Sequence, residues 1–168
     1  MIIIEQVGTG AVLDIKKLLE RGLIAHREGR LEDAEAAYSA VRRQWSNNAD
    51  VWYLSATLAH LRMDFGTAQN FIKRALVLDV TFGPAHNTAG IIAKEMGDSD
   101  AAFAHFSDAL RYNPDLAEVH ANLADLLRIR KELPEALIAA RRAVKLNPNL
   151  PEAQCNLGAC LMDMEDLK

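Results

Sequence analysis

His26 and His60 stand 34 residues apart. They are the first side chains in this sequence whose type and spacing could do chemistry. Both lie on stretches of helical periodicity, so they should project from neighbouring helices at equal heights. Helix axes pack about 8–10 Å apart, whereas zinc holds its ligand atoms at about 2.1 Å. The two rings therefore cannot share one ion, and they read either as solvated surface groups or as two separate groove contacts. His86 and His120 occupy positions where a packing residue is expected, and read as satisfied inter-helix histidines. Cys155 and Cys160 are five apart, share no helix face and fit no metal-ligand pattern. They read as packing thiols in a reducing compartment. The sequence contains no metal-ligand pair four apart on a helix, no phosphate-cradling glycine loop and no nucleophile elbow. The expectation is a chain that binds no metal or cofactor and is not an enzyme by itself.

Charge adds little attraction. The net charge is −4 over 168 residues, which gives no general pull toward nucleic acid or anionic lipid. Residues 117–150 hold Arg128, Arg130, Lys131, Arg141, Arg142 and Lys145 against four acids, a net of +2, while 83–116 and 151–168 are each −3. That alternation reads as a mixed solvated surface. No apolar run approaches the ~20 residues of a membrane helix. Met1-Ile2-Ile3-Ile4 lacks a basic flank and Glu5 interrupts it, so a secretory leader is not expected. A cytoplasmic protein without nucleic-acid or membrane partners follows as the expectation. With 50% hydrophobic residues, the chain can bury a real core as one domain or one short repeat array.

The elements that position these side chains come from a repeat. Ala34, Ala68, Ala102 and Ala136 are each 34 apart. Gly22, Ala56, Gly90, Ala124 and Gly158 form a second register, always small. Tyr38, Ile72, Phe106 and Ala140 form a third, bulky except at the end. The units are 15–48, 49–82, 83–116, 117–150 and a partial 151–168. Within a unit the apolar spacing is helical: Val119, Leu123, Leu126 and Leu127 make one stripe, and Leu133, Leu137, Ala140, Ala143 and Val144 another. Pro84 and Pro151 sit where a first helix begins and Pro134 where a second begins, a position that tolerates the missing N–H. Asn47, Thr81, Asp115 and Asn149 recur as candidate caps of first helices. Gly29 and Gly97 fall in the turn between the two helices. Each unit is expected to be an antiparallel helix pair, and stacked pairs bury the stripes that one pair cannot. Residues 1–14 fit no register; Gly8-Thr9-Gly10 predicts an extended lead-in there.

This pattern resembles the tetratricopeptide repeat family. Gly90, Ala102, Phe106, Ala109 and Pro114 in one unit, and Trp52, Ala56, Ala68, Ile72 and Ala75 in another, carry the family's phase. The resemblance implies an all-α fold, an α-solenoid of antiparallel helix pairs wound into a right-handed superhelix. It also implies a concave groove of first helices that binds a partner peptide. Arg21, standing where an apolar residue is expected, reads as the mark of an end cap. The groove-facing candidates are Tyr53, Thr57, His60, Asn87, Ile91, Lys94, Asn122, Asp125, Arg128 and Asn156. Their mix of amide, aromatic and apolar groups suits an extended peptide.

Two narrower resemblances can be weighed on residues. Family members that hold a chaperone's terminal carboxylate need Lys, Asn and Arg in successive units, and no frame here supplies the cations. Asn122-Leu123-Ala124 and Asn156-Leu157-Gly158 resemble the asparagine ladder in the repeat arm of O-linked N-acetylglucosamine transferases; Glu20, Leu54 and Thr88 occupy the other three positions. The expected function is thus a protein-interaction scaffold. Alternatives are the N-terminal recruiting arm of a larger transferase and a self-assembly module. The last unit holds only a first helix. This predicts either a fragment of a longer protein or an end that self-associates weakly through Leu157 and Leu161.

Overall fold

The computed structural model describes the backbone of residues 9–165 and the side chains from Asp14 onward. Among these residues all regular structure is helical: α1 (Thr9–Arg27), α2 (Leu31–Gln44), α3 (Ala49–Leu61), α4 (Phe65–Leu78), α5 (Gly83–Glu95), α6 (Ser99–Tyr112), α7 (Ala117–Ile129), α8 (Leu133–Leu146) and α9 (Pro151–Glu165). Helices α1–α4 make one unit and α5–α9 a second. In each, a first helix packs on the second helix of its own pair, and α9 packs on α7 and α8. The fold is all-α, an α-solenoid type built from helix pairs.

The expected lead-in is corrected at one end. Helix α1 starts at Thr9, so residues 9–14 are helical rather than extended. Gly10 costs a helix about 1 kcal/mol relative to Ala. A helix already nucleated downstream still extends through it, because each added residue gains a backbone bond without a new nucleation step. Residues 1–8 of that stretch lie outside the described residues.

The caps are one residue later than their repeat suggested. Asn48, not Asn47, caps α3, its side chain accepting from Val51 N at 3.0 Å. Phe82 and Leu116 occupy the cap positions of α5 and α7 and make no side-chain cap bond. Asp115 instead accepts from Arg142 Nη2 at 2.6 Å, and the Asn149 N–H donates to Asn147 Oδ1. Two second helices carry polar caps as well: Asp64 accepts from Thr67 N and Asp98 from Ala101 N.

The turns inside the pairs share one geometry. Gly29, Met63, Gly97 and Lys131, each 34 apart, all have positive φ, at 73°, 59°, 82° and 65°. The following residue then bonds back five positions, Arg30 N to Ala25 O, Asp64 N to Ala59 O, Asp98 N to Ala93 O and Glu132 N to Leu127 O. This left-handed closure ends the first helix and satisfies its last carbonyls.

Small residues let each pair close. Ala34, Ala68, Ala102 and Ala136 are completely buried. A Cβ added at Gly22 would lie 2.6 Å from Tyr38 Cε1, and one at Gly90 would lie 2.5 Å from Phe106 Cε1. In the first unit Arg42 joins pairs: its guanidinium lies 4.5 Å from the Phe71 ring centre, donates to Ser55 Oγ, and meets Glu35 at 2.8 Å. In the second, His86 is buried, 3.4 Å from His105 Nδ1 and stacked on Tyr112. His120 Nε2 lies 2.9 Å from the Pro114 carbonyl. Of the two cysteines only Cys160 packs in the core; Cys155 is exposed, contrary to its reading as a packing thiol.

Candidate functional site

Helices α5, α7 and α9 are the first helices of successive pairs, and α7 packs against both of the others. Seven of the ten candidate groove residues come together on them: Asn87, Ile91 and Lys94 on α5, Asn122, Asp125 and Arg128 on α7, and Asn156 on α9. Asn122 Nδ2 donates to Asn87 Oδ1 at 3.0 Å. Asn156 Nδ2 donates to the Ala121 carbonyl at 2.8 Å. The amides thus tie neighbouring helices together while keeping their remaining lone pairs and protons for a ligand.

The cations of this face are already occupied. Lys94 Nζ meets Asp125 Oδ2 at 2.8 Å, Arg128 Nη2 meets Asp125 Oδ1 at 3.4 Å, and Arg128 Nη1 meets Asp163 Oδ2 at 3.3 Å. The hydrogen bond that Arg128 donates to Asp163, with the nearby Asp125 charge, raises the Arg128 pKa above its ordinary value. These four side chains run as alternating charges across three helices. They are all half-buried, so water screens them only in part.

Beside that chain a groove of about 270 Å³ opens between Asn87, Ile91 and Asn122, with Leu150 adding apolar surface. Glu118 and Glu152 stand at its edge, exposed. Leu150 and Asp163 were not among the sequence candidates: Leu150 belongs to a turn that the helical phase does not describe. Asp163 lies 35 residues beyond Arg128, the same offset as Asn87–Asn122 and Ala121–Asn156.

The other three candidates, Tyr53, Thr57 and His60, lie on α3 in the first unit and are half-buried. Thr57 Oγ1 donates to the Leu54 carbonyl at 2.9 Å, and the His60 ring packs 5.9 Å from the Phe65 ring. His26 likewise packs on Tyr38, 6.0 Å between ring centres. Both repeat-related histidines therefore pack on an aromatic residue of their own pair. Arg21 is exposed and lines a cleft between α1 and α2 with Leu18, Ile24 and Ala25.

The profile of the tetratricopeptide repeat matches residues 18–78 and 87–151. The chain belongs to the tetratricopeptide repeat family. Its relatives show how widely that fold is used. The general transcriptional corepressor trfA of Dictyostelium discoideum is 32% identical over 79 residues, 47% of this chain and 6% of that protein. The chain therefore spans a small part of that curated relative. Among solved structures, Pseudomonas aeruginosa pilF is 19% identical with a TM-score of 0.85, covering 94% of this chain and 72% of that one. The Thermobaculum terrenum O-GlcNAc transferase is 23% identical at a TM-score of 0.78, covering 83% of this chain and 27% of the enzyme. YrrB, described as a tetratricopeptide repeat protein with an unusual peptide-binding site, is 19% identical at 0.71, covering 94% and 83%. At these identities the structural likeness is one of fold.

Tetratricopeptide repeats are in general protein-interaction scaffolds rather than catalysts. Among the described residues, no three His, Cys, Asp or Glu side chains converge as metal ligands, and no helix is long and apolar enough to cross a membrane.

Proposed function

We propose that this chain is a scaffold whose second unit binds an extended partner peptide along α5, α7 and α9. The pairing of Asn87 with Asn122 beside the groove carries this reading. With that bond made, Asn122 Oδ1 remains to accept from a peptide N–H, and Asn87 Nδ2 to donate to a peptide carbonyl. Ile91 and Leu150 offer apolar surface for an alternate side chain. Backbone bonds supply affinity, and the pocket between them supplies selectivity. The described peptide-binding site of YrrB, on the same fold, supports the class of ligand. Tyr53, Thr57 and His60 are proposed as a separate contact face on α3.

The test is a peptide-array screen of the purified chain, followed by titration of the best peptide. Asn122→Ala should weaken it about five- to tenfold, the loss of one ordinary hydrogen bond, with the chain still folded by circular dichroism. Affinity unaltered in Asn122→Ala and in Ile91→Asp would reject the groove.

Two other readings have an observation each. A recruiting arm of a larger transferase would use the same groove; Asn122 and Asn156 and the fold shared with the Thermobaculum enzyme favour it, and a reading frame entering a catalytic domain would decide it. Self-assembly is favoured by the face of α9. A Cβ at Gly158 would meet nothing within 4 Å, unlike Gly22 and Gly90, and Leu161 is exposed, although Leu157 packs on the core. Mass rising with concentration, suppressed by Leu161→Glu, is the expected light-scattering result.

A further inference from the structure

The second-unit groove presents a surplus of negative charge. Its two cations, Lys94 and Arg128, are matched by Asp125 and Asp163. Glu118 and Glu152 are not matched: both are exposed, and neither makes an ion pair or hydrogen bond among the described residues. The amides do not offset this: Asn122 and Asn156 each spend one N–H, on Asn87 and on the Ala121 carbonyl, and keep an oxygen and a second N–H, all uncharged. An anionic ligand would meet two like charges and find no available cation. A cationic side chain would find two carboxylates flanking a short apolar floor of Ile91 and Leu150.

We infer that the partner is an extended peptide carrying a lysine or arginine next to an apolar residue, its cation held between Glu118 and Glu152. The apolar neighbour covers Ile91 and Leu150, and the aliphatic stem of the cationic side chain lies along the same floor. Both carboxylates are exposed, so each contact is modest and screened by salt. Discrimination comes from the pair acting together and from the repulsion of acidic sequences. This inference rests on the groove reading above.

The test uses three short fluorescent peptides that alternate leucine with lysine, with glutamine or with glutamate, titrated by anisotropy. The lysine peptide should bind about three- to tenfold more tightly than the glutamine peptide, and the glutamate peptide more weakly still. Raising salt should erase the difference. Glu118→Gln combined with Glu152→Gln should bring the lysine peptide down to the level of the glutamine peptide while leaving the latter unchanged. Each of these substitutions sits on an exposed residue, and unaltered circular dichroism and melting would show the fold intact. Equal affinity for lysine and glutamine peptides, lost on Asn122→Ala, would overturn the charge inference and leave the groove standing. A lysine preference that survives the double glutamine variant would overturn it too. Failure of all three peptides to bind would sink both readings.

Discussion

Gly90 lies directly beneath the ring of Phe106, so close that a methyl group at residue 90 would sit 2.5 Å from Cε1. The ring is fully buried and cannot swing away. Gly22 and Tyr38 repeat the arrangement 68 residues earlier. Where the first helix carries alanine, at 56 and 124, the second carries Ile72 and Ala140 instead. Within each pair, the two sizes are traded against each other.

Gly90→Ala should therefore destabilise the chain. Overpacking costs about 1–3 kcal/mol, and the better helix propensity of alanine offsets up to about 1 kcal/mol. In a Phe106→Ile background the same change should be close to neutral, since Ala56 and Ile72 already coexist. Urea midpoints of the four chains make the double-mutant cycle. An equal cost in both backgrounds would show that the ring does not set the size at residue 90.

Met63 and Lys131 adopt the left-handed backbone that Gly29 and Gly97 adopt at the matching turns. A side chain there costs about 1–2 kcal/mol, and glycine gives back about 0.5–1 through its freer unfolded chain. Met63→Gly and Lys131→Gly should each stabilise by roughly 0.5–1 kcal/mol, and Gly97→Ala should lose a similar amount. Thermal unfolding of the three variants checks the set; a lower midpoint for both glycine variants would contradict it.

The helix pairs could be read from the sequence because small, aromatic and proline positions recur without an insertion. Four turns at one spacing need only two glycines to be recognised. The groove was less legible for a geometric reason. Residues 34 apart point the same way from neighbouring first helices, so they cannot point at each other. The residue one further along is rotated by about 100° and can face back across the gap. Hence Asn87 meets Asn122, Ala121 meets Asn156 and Arg128 meets Asp163, all at 35. A search at that offset would have found Asp163, whereas Leu150 lies in a turn outside the helical phase. The caps slipped by the same single residue, since Asn48 rather than Asn47 directly precedes α3. The start of α1 was not legible because Gly10 signals a break only where no neighbouring helix is already formed.

His26 supplies a pH-dependent prediction. Its Nδ1 lies 3.2 Å from the Tyr38 hydroxyl, and its ring meets the tyrosine edge-on. Burial lowers the His26 pKa below its ordinary value near 6.5. Burial also pushes the Tyr38 phenol up to about 12, against a small opposing effect of Arg27. The phenol thus keeps its proton throughout the neutral range, and the lone pair of Nδ1 is the partner at risk. The folded state favours neutral imidazole, so this stabilisation is fully present above the unfolded pKa and is lost as pH falls through the lower, folded one. Wild type and His26→Gln should therefore differ most near neutrality, and the gap should shrink between about pH 7 and pH 5. The difference between the two chains isolates this site from His86 and His105. Urea midpoints of both chains across that range provide the measurement. A gap that stays constant would show that protonation of His26 is not linked to folding, and a gap that widens in acid would reverse the sign of the argument.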